Sequence, residues 1–267
     1  MPVVLRELLD ALAEETAALD AALDQLYDDA WVSTTPADGW TIVDQIAHLA
    51  FFDTAVTTAV TDPDRFRAET DALRARDRDV VDAIANAHRG RSGPDVNDWF
   101  HAARATMVAA FEAADPSMRV PWYGPAMSLP SAVTARIMET WAHGQDVFDA
   151  LGLRHPATSA LRHVAHIGVR ALPNSYIAHG LEVPVEPVRV QLATADGEIW
   201  TWGPDDASDR VEGRAEEFCL VVTQRRHVAD TRLRTTGSVA PRWLSIAQAF
   251  AGPPGAGRRP GQFAPLD

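Results

Sequence analysis

Lysine is missing from these 267 residues: all 24 basic side chains are arginine, set against 37 acidic ones, for a net charge of −13. A chain this acidic, with no basic stripe, repels phosphate backbones, so nucleic acid is excluded as an expected partner. Cysteine is nearly absent as well. Cys219 stands alone, which excludes a disulfide framework and a cysteine-based zinc cluster. It lies in the apolar run Phe218–Val222 and reads as a buried core thiol rather than a nucleophile. No apolar run approaches the roughly 18–20 residues that cross a bilayer. The opening MPVVLRELLDALAEE has neither a basic leader region nor a cleavage site, so the expected compartment is the cytoplasm and no membrane partner is expected. The glycines of Gly252–Gly261 lack the Lys-Ser/Thr pair of a phosphate loop.

What is present suffices for a sizeable core. Hydrophobic residues make up 46% of the chain, and a protein of this mass buries roughly 70–75% of the surface its unfolded chain exposes. Apolar residues recur at helical spacing up to about residue 181, and short alternating runs follow. Helices are expected at about Val4–Tyr27, Thr41–Asp62, Pro63–Ala87, Asp95–Ala114, Ser131–Leu151 and Ser159–His179. Thr41-x-x-Asp44 resembles a capping box, and Gly152 suits a helix C-cap. Four prolines between Asp115 and Pro130 predict a crossing loop that carries Trp122 and Tyr123, placed either to wall a pocket or to pin the loop. VRVQLATADGEIWTWG reads as a hairpin turning at Ala195-Asp196-Gly197. Arg214–Thr223 suits helix or strand, and Val239–Ala251 suits a last amphipathic helix. The expected fold class is α+β: a helical bundle over 1–156, a connecting helix over 157–182, a small α+β domain over 183–252 and a flexible tail over 253–267.

Chemistry concentrates in Arg136-Ile-Met-Glu139-Thr-Trp-Ala-His143-Gly-Gln-Asp146. At 100° per residue Glu139 and His143 share a helix face, so together they can grip one divalent ion. Arg136 and Asp146 flank them, and an apolar stripe of Val133, Ile137, Trp141, Phe148 and Leu151 lies opposite. The second helix offers His48 within Trp40-Thr-Ile-Val-Asp-Gln-Ile-Ala-His48. Two histidines and a carboxylate with an open position suit a catalytic metal. Spacing alone leaves the bland alternative standing, since any solvent-facing helix shows a polar stripe opposite an apolar one. His163, His166 and Arg170 share a face of the sixth helix and allow the same two readings: an outer-sphere role or a plain polar face.

The pairing of Gly39-Trp40 through His48-Leu49 with Glu139-x-x-x-His143-Gly-x-Asp146 resembles the DinB-like metal-binding superfamily. More closely it is similar to the mycothiol-dependent maleylpyruvate isomerase group, over roughly residues 5–155 and more loosely beyond. That resemblance implies a DinB-like four-helix bundle followed by a small sterol-carrier-like α+β domain. It also implies a zinc-type ion on His48, Glu139 and His143, and mycothiol as a thiol co-substrate. The missing lysine fits a GC-rich host of the kind that makes mycothiol. The expected activity is isomerisation or S-transfer on a small carboxylate-bearing electrophile. Arg225 and Arg226 are then candidates to anchor its carboxylates, arginine's fork being suited to that, and Arg136 and Asp146 are candidates to steady the ligands. The rival expectations are a metal-dependent hydrolase, a non-haem Fe(II) enzyme and a non-catalytic binding protein with a structural metal. The expected state is a monomer or homodimer that takes a small-molecule substrate. The segment Ala247–Gly252 also resembles a domain associated with wyosine-base formation.

Overall fold

The computed structural model describes residues 3–76 and 87–264, which divide into two compact units, residues 1–158 and 159–267. The expected helix end at Ala87 adjoins residues 77–86, which lie outside the described residues.

The first unit is built on helices α1 (Val3–Leu23), α2 (Ile42–Thr61), α3 (Pro63–Arg76), α4 (Gly93–Ala113) and α5 (Leu129–Leu151). Helices α1, α2, α4 and α5 make the bundle, with α2 packed along α4 and α5, and α1 along α5. Local chemistry sets the ends. Thr41 and Asp44 form the expected capping box, Thr41 N donating to Asp44 Oδ2 at 2.8 Å. Helix α5 starts on Ser128 with proline in its first turn and stops at Gly152, whose φ of 64° is the left-handed cap glycine adopts at little cost. At the head of α4, Gly93 lies against Trp31 so closely that a Cβ would sit 2.1 Å from the indole Cγ. The Pro-rich crossing segment contains a short antiparallel pair, β1 (Arg119–Val120) and β2 (Met127–Ser128).

Two buried polar groupings cross this bundle. Asp53, fully buried on α2, accepts from Arg104 Nε at 2.6 Å and Arg136 Nε at 3.0 Å. Arg104 also donates to Thr16 on α1 and Thr140 on α5, so all four bundle helices meet in one layer. Burial pushes the Arg104 pKa down, while Asp53 holds it up. In the other grouping, buried Glu15 receives His155 Nε2 at 2.8 Å and Thr158 Oγ1 at 2.5 Å. His155 is stacked between Trp141 and Phe148. These groupings correct the picture of α5 as a helix with one solvent-facing side. Residues 140–148 are all buried, because their polar groups find partners inside the bundle.

The second unit holds α6 (Ala160–Arg170), α7 (Leu172–Ala178), strands β3 (Val188–Ala193), β4 (Ile199–Trp202), β5 (Asp209–Arg214) and β6 (Arg234–Thr236), and helices α8 (Ala215–Val222) and α9 (Val239–Ile246). The sheet order is β4-β3-β5-β6, with β3 and β5 parallel and the outer pairings antiparallel. The fold is thus a mixture of helix and sheet. Sequence periodicity ran the sixth helix unbroken to His179, but it divides after Arg170, where Pro173 cannot donate to the helix before it. The stretch read as a connector is part of this unit: Gly168 of α6 packs on Val222 and Phe218 of α8. The hairpin lies where expected, Arg214–Thr223 resolves as helix α8, and the last helix stops at Ile246 rather than Ala251. The expected flexible tail is tied down as far as it is described. Gly261 N donates to Asp230 at 2.7 Å, and the Arg226 guanidinium lies 3.6 Å from the centre of the Phe263 ring.

Candidate metal centre

Helices α2 and α5 bring His48, Glu139 and His143 together. Glu139 Oε2 lies 3.5 Å from His48 Nε2 and 3.2 Å from His143 Nε2. Among the described residues this is the one group of three or more such side chains able to hold a metal ion, with ligand atoms all within 4.8 Å of one another. The spacing fits a cation well. Ligands about 2.0–2.2 Å from a tetrahedral zinc stand roughly 3.3–3.6 Å apart. Two imidazoles and one carboxylate leave such an ion one position short. Burial pushes the Glu139 carboxyl up, but the hydrogen bonds and charges of His143 and His48 outweigh it and hold Glu139 well below the usual carboxylate range.

The surroundings are aromatic. Trp40 stacks on His143 at 5.9 Å and tilts over His48 at 5.5 Å. Phe52 lies 4.5 Å from His48, and Tyr123 and Trp122 lie 5.7 and 6.0 Å from Phe52. Phe66 backs Trp122 in a parallel stack. The two crossing-loop aromatics pin the loop on Phe66 and continue a row of aromatic contacts that begins at His48. Burial, with help from Glu69, pushes the Tyr123 phenol up to about 12, so it is a neutral hydroxyl throughout the physiological range.

The other expected residues separate. Arg136 is buried, but its partner is Asp53 in the bundle layer, which makes it a structural cation rather than a substrate contact. Asp146 is also buried on α5, yet the residue hydrogen-bonded to His143 Nδ1 is Gln45, at 2.5 Å. Arg225 and Arg226 belong to the second unit, just after Gln224 with its positive φ of 60°. Arg225 donates to Thr223 O, and Arg226 donates to Arg225 O and lies over Phe263. His166 is in the second unit too. It accepts from Trp202 Nε1 at 3.3 Å, and burial with Arg170 lowers its pKa. His163 and Arg170 lie on the same helix. Cys219 is fully buried, and burial pushes its thiol well up, as expected of a core residue.

Gln45, Thr35, Trp40 and Phe52 escaped the sequence reading as participants. A signal existed for one of them, because Gln45 stands one turn before His48 and so shares its helix face.

Comparison with known proteins adds the following. Residues 12–148 match the family described as the mycothiol maleylpyruvate isomerase N-terminal domain. Residues 186–236 match the family described as wyosine base formation; that likeness was expected at 247–252 and falls instead on the strands and α8. An uncharacterised protein of Mycobacterium tuberculosis, found in strains CDC 1551 and H37Rv, is 45% identical over 248 residues, covering 92% of this chain and 96% of the relative. The crystal structure of a mycothiol-dependent maleylpyruvate isomerase is similar with a TM-score of 0.58 at 16% identity, covering 85% of this chain and 90% of that one. The structure of a histidine-to-alanine mutant of that enzyme gives a TM-score of 0.57 at 15% identity.

Proposed function

This chain belongs to the mycothiol maleylpyruvate isomerase N-terminal domain family, and on that premise we propose that it is a metal-dependent enzyme that uses a low-molecular-weight thiol. The reaction is isomerisation or S-transfer on a small carboxylate-bearing electrophile, with mycothiol as the thiol that the family description suggests. One observation carries this reading: a two-histidine, one-carboxylate donor set with ligand-like spacing and one position short of a tetrahedron, faced by aromatic rings. His48, Glu139 and His143 would hold the ion, which when bound supplies a positive charge that favours a thiolate over a thiol near neutral pH, where a free thiol with pKa about 8.5 is mostly protonated.

The chain's own residues do the rest. Glu139 contributes one negative charge and the imidazoles none, so a dication keeps a net positive charge for an anionic partner. Trp40 and Phe52 shield the ligands from water, which strengthens the electrostatics between them. Tyr123 offers a neutral hydroxyl in the same row of aromatic contacts. Arg225 and Arg226, each of which donates to a nearby backbone carbonyl in the second unit, are proposed as anchors for a substrate carboxylate. Asp146, buried one turn beyond His143, is proposed to steady the ligand helix. A zinc ion, a cytoplasmic setting and a monomeric or homodimeric state belong to the same proposal.

The test is optical. With Co(II) in place of the native ion, addition of mycothiol is expected to produce a sulfur-to-metal charge-transfer band, and a Cys219→Ser variant should keep it because that thiol is buried in the second unit. A fully cobalt-loaded protein with no spectral response to millimolar thiol would refute the thiol reading. It would then favour a hydrolase or an oxygen-using Fe(II) enzyme, the latter recognised by oxygen uptake.

A further inference from the structure

Behind His143 runs a chain of hydrogen bonds whose direction is set at its far end. The carbonyl of Trp40 can only accept, and Thr35 Oγ1 donates to it at 3.0 Å. A hydroxyl has one proton, so toward Gln45 the same oxygen can only accept, and it receives Gln45 Nε2–H at 2.9 Å. The amide is thereby oriented: its carbonyl oxygen faces His143 Nδ1 at 2.5 Å. An amide oxygen has no proton to give, so the proton between them belongs to Nδ1. The tautomer protonated at Nε2 alone, which would block the nitrogen nearest Glu139, is excluded.

The chain starts from a well-held loop. Thr35 N also donates to Trp40 O at 2.8 Å, Trp40 N donates to Ala37 O at 3.0 Å, and Ile42 N donates to Ser33 O at 3.1 Å. Gly39, at φ 76°, takes the turn. The ring of Trp40 stacks on the same imidazole whose proton its carbonyl governs, so one loop touches His143 through both its face and its edge.

We infer that Thr35 and Gln45 are positioning residues for metal binding: through the Trp40 carbonyl they keep a proton on His143 Nδ1, so that Nε2, which faces Glu139, is the nitrogen a divalent ion takes. This rests on reading the cluster as a metal centre. Such outer partners are worth typically about 10–100-fold in metal affinity. Because Gln45 is a neutral amide, it also adds no negative charge behind the ligand, whereas a carboxylate there would raise the imidazole's basicity.

Two measurements on the full chain test this. The first is the affinity for Zn(II) alone, by competition with a chromophoric chelator. The second is the protonation site of His143 in the metal-free protein, by nitrogen-15 NMR at neutral pH. Gln45→Leu is expected to lose about 10–100-fold in affinity and to move His143 toward the Nε2–H form. Thr35→Val, which keeps shape and frees the amide to turn, is expected to change both in the same direction by less. Gln45→Glu, which restores an acceptor, is expected to restore the Nδ1 proton and at least wild-type affinity. If Gln45→Leu is folded yet keeps both the Nδ1–H form and full affinity, the inference is wrong. If it fails to fold, Thr35→Val decides by the same two readouts. Should the wild-type chain bind no divalent ion, the metal reading fails. The tautomer measurement then decides separately whether the relay exists, and an Nδ1 proton unaffected by either substitution would overturn it.

Discussion

Glu139→Ala is expected to lower metal affinity by roughly 10²–10³-fold or more, and His48→Ala and His143→Ala by similar factors. The figure follows from apparent binding energies of about 10–16 kcal/mol for structural zinc sites with four ligands, or roughly 2.5–4 kcal/mol per ligand. Competition with a chelator measures it. The site's single carboxylate is the central member, since both imidazoles face its Oε2. Acid should act like a mutation. Protons compete with the ion for the two imidazoles, so affinity is expected to fall by up to two protons' worth as the medium is made acidic. Glu139 joins only at lower pH, because its carboxyl is held below the usual range. Variants that keep native affinity while folded would show that the ion, if any, binds elsewhere.

Asp53→Ala is expected to be the most damaging single change to the bundle. It leaves the guanidiniums of Arg104 and Arg136 buried without their counter-charge, and Arg136 Nη2 already has no hydrogen-bond partner among the described residues. Removing one partner of a buried ion pair costs about 3–5 kcal/mol. Thermal unfolding should then fall by about 6–20 °C. Replacing all three by apolar residues of similar volume (Asp53→Leu with Arg104→Met and Arg136→Met) should recover most of that loss, since the penalty lies in the unpaired charge. A melting temperature within 2–3 °C of wild type for Asp53→Ala would mean that solvent reaches the layer. The contrast with Glu139 is informative: one substitution is expected to empty a site in a stable fold, and the other to destabilise the fold around that site.

Much of this was legible in the residues, though unevenly. Helix α2 announced itself through Thr41 and Asp44, and the end of α5 through Gly152, because caps are local chemistry. The ligand trio was legible only once two distant motifs were taken together, since helical spacing places Glu139 beside His143 but says nothing of α2. Arg136 shows where periodicity misleads. A polar stripe on a surface helix and a polar layer inside a bundle have the same period, and only the presence of Asp53 and Arg104 across the core separates them. The break after Arg170 was hidden because proline is tolerated in a helix's first turn, so Pro173 marked a second helix rather than an irregular stretch. Gln45 was hidden for another reason: its part depends on which way an amide faces, and that is decided by Thr35 and a backbone carbonyl rather than by spacing. The tail gave no periodic signal at all, and its anchorage depends on individual contacts to Asp230, Gln248 and Arg226.

X-ray absorption at the metal edge tests the central claim most directly. On the metal-loaded protein the account predicts two imidazoles and one carboxylate at about 2.0–2.2 Å, and on addition of mycothiol one new sulfur at about 2.3 Å. A metal shell that stays free of sulfur at saturating thiol, in protein carrying one ion per chain, would contradict it.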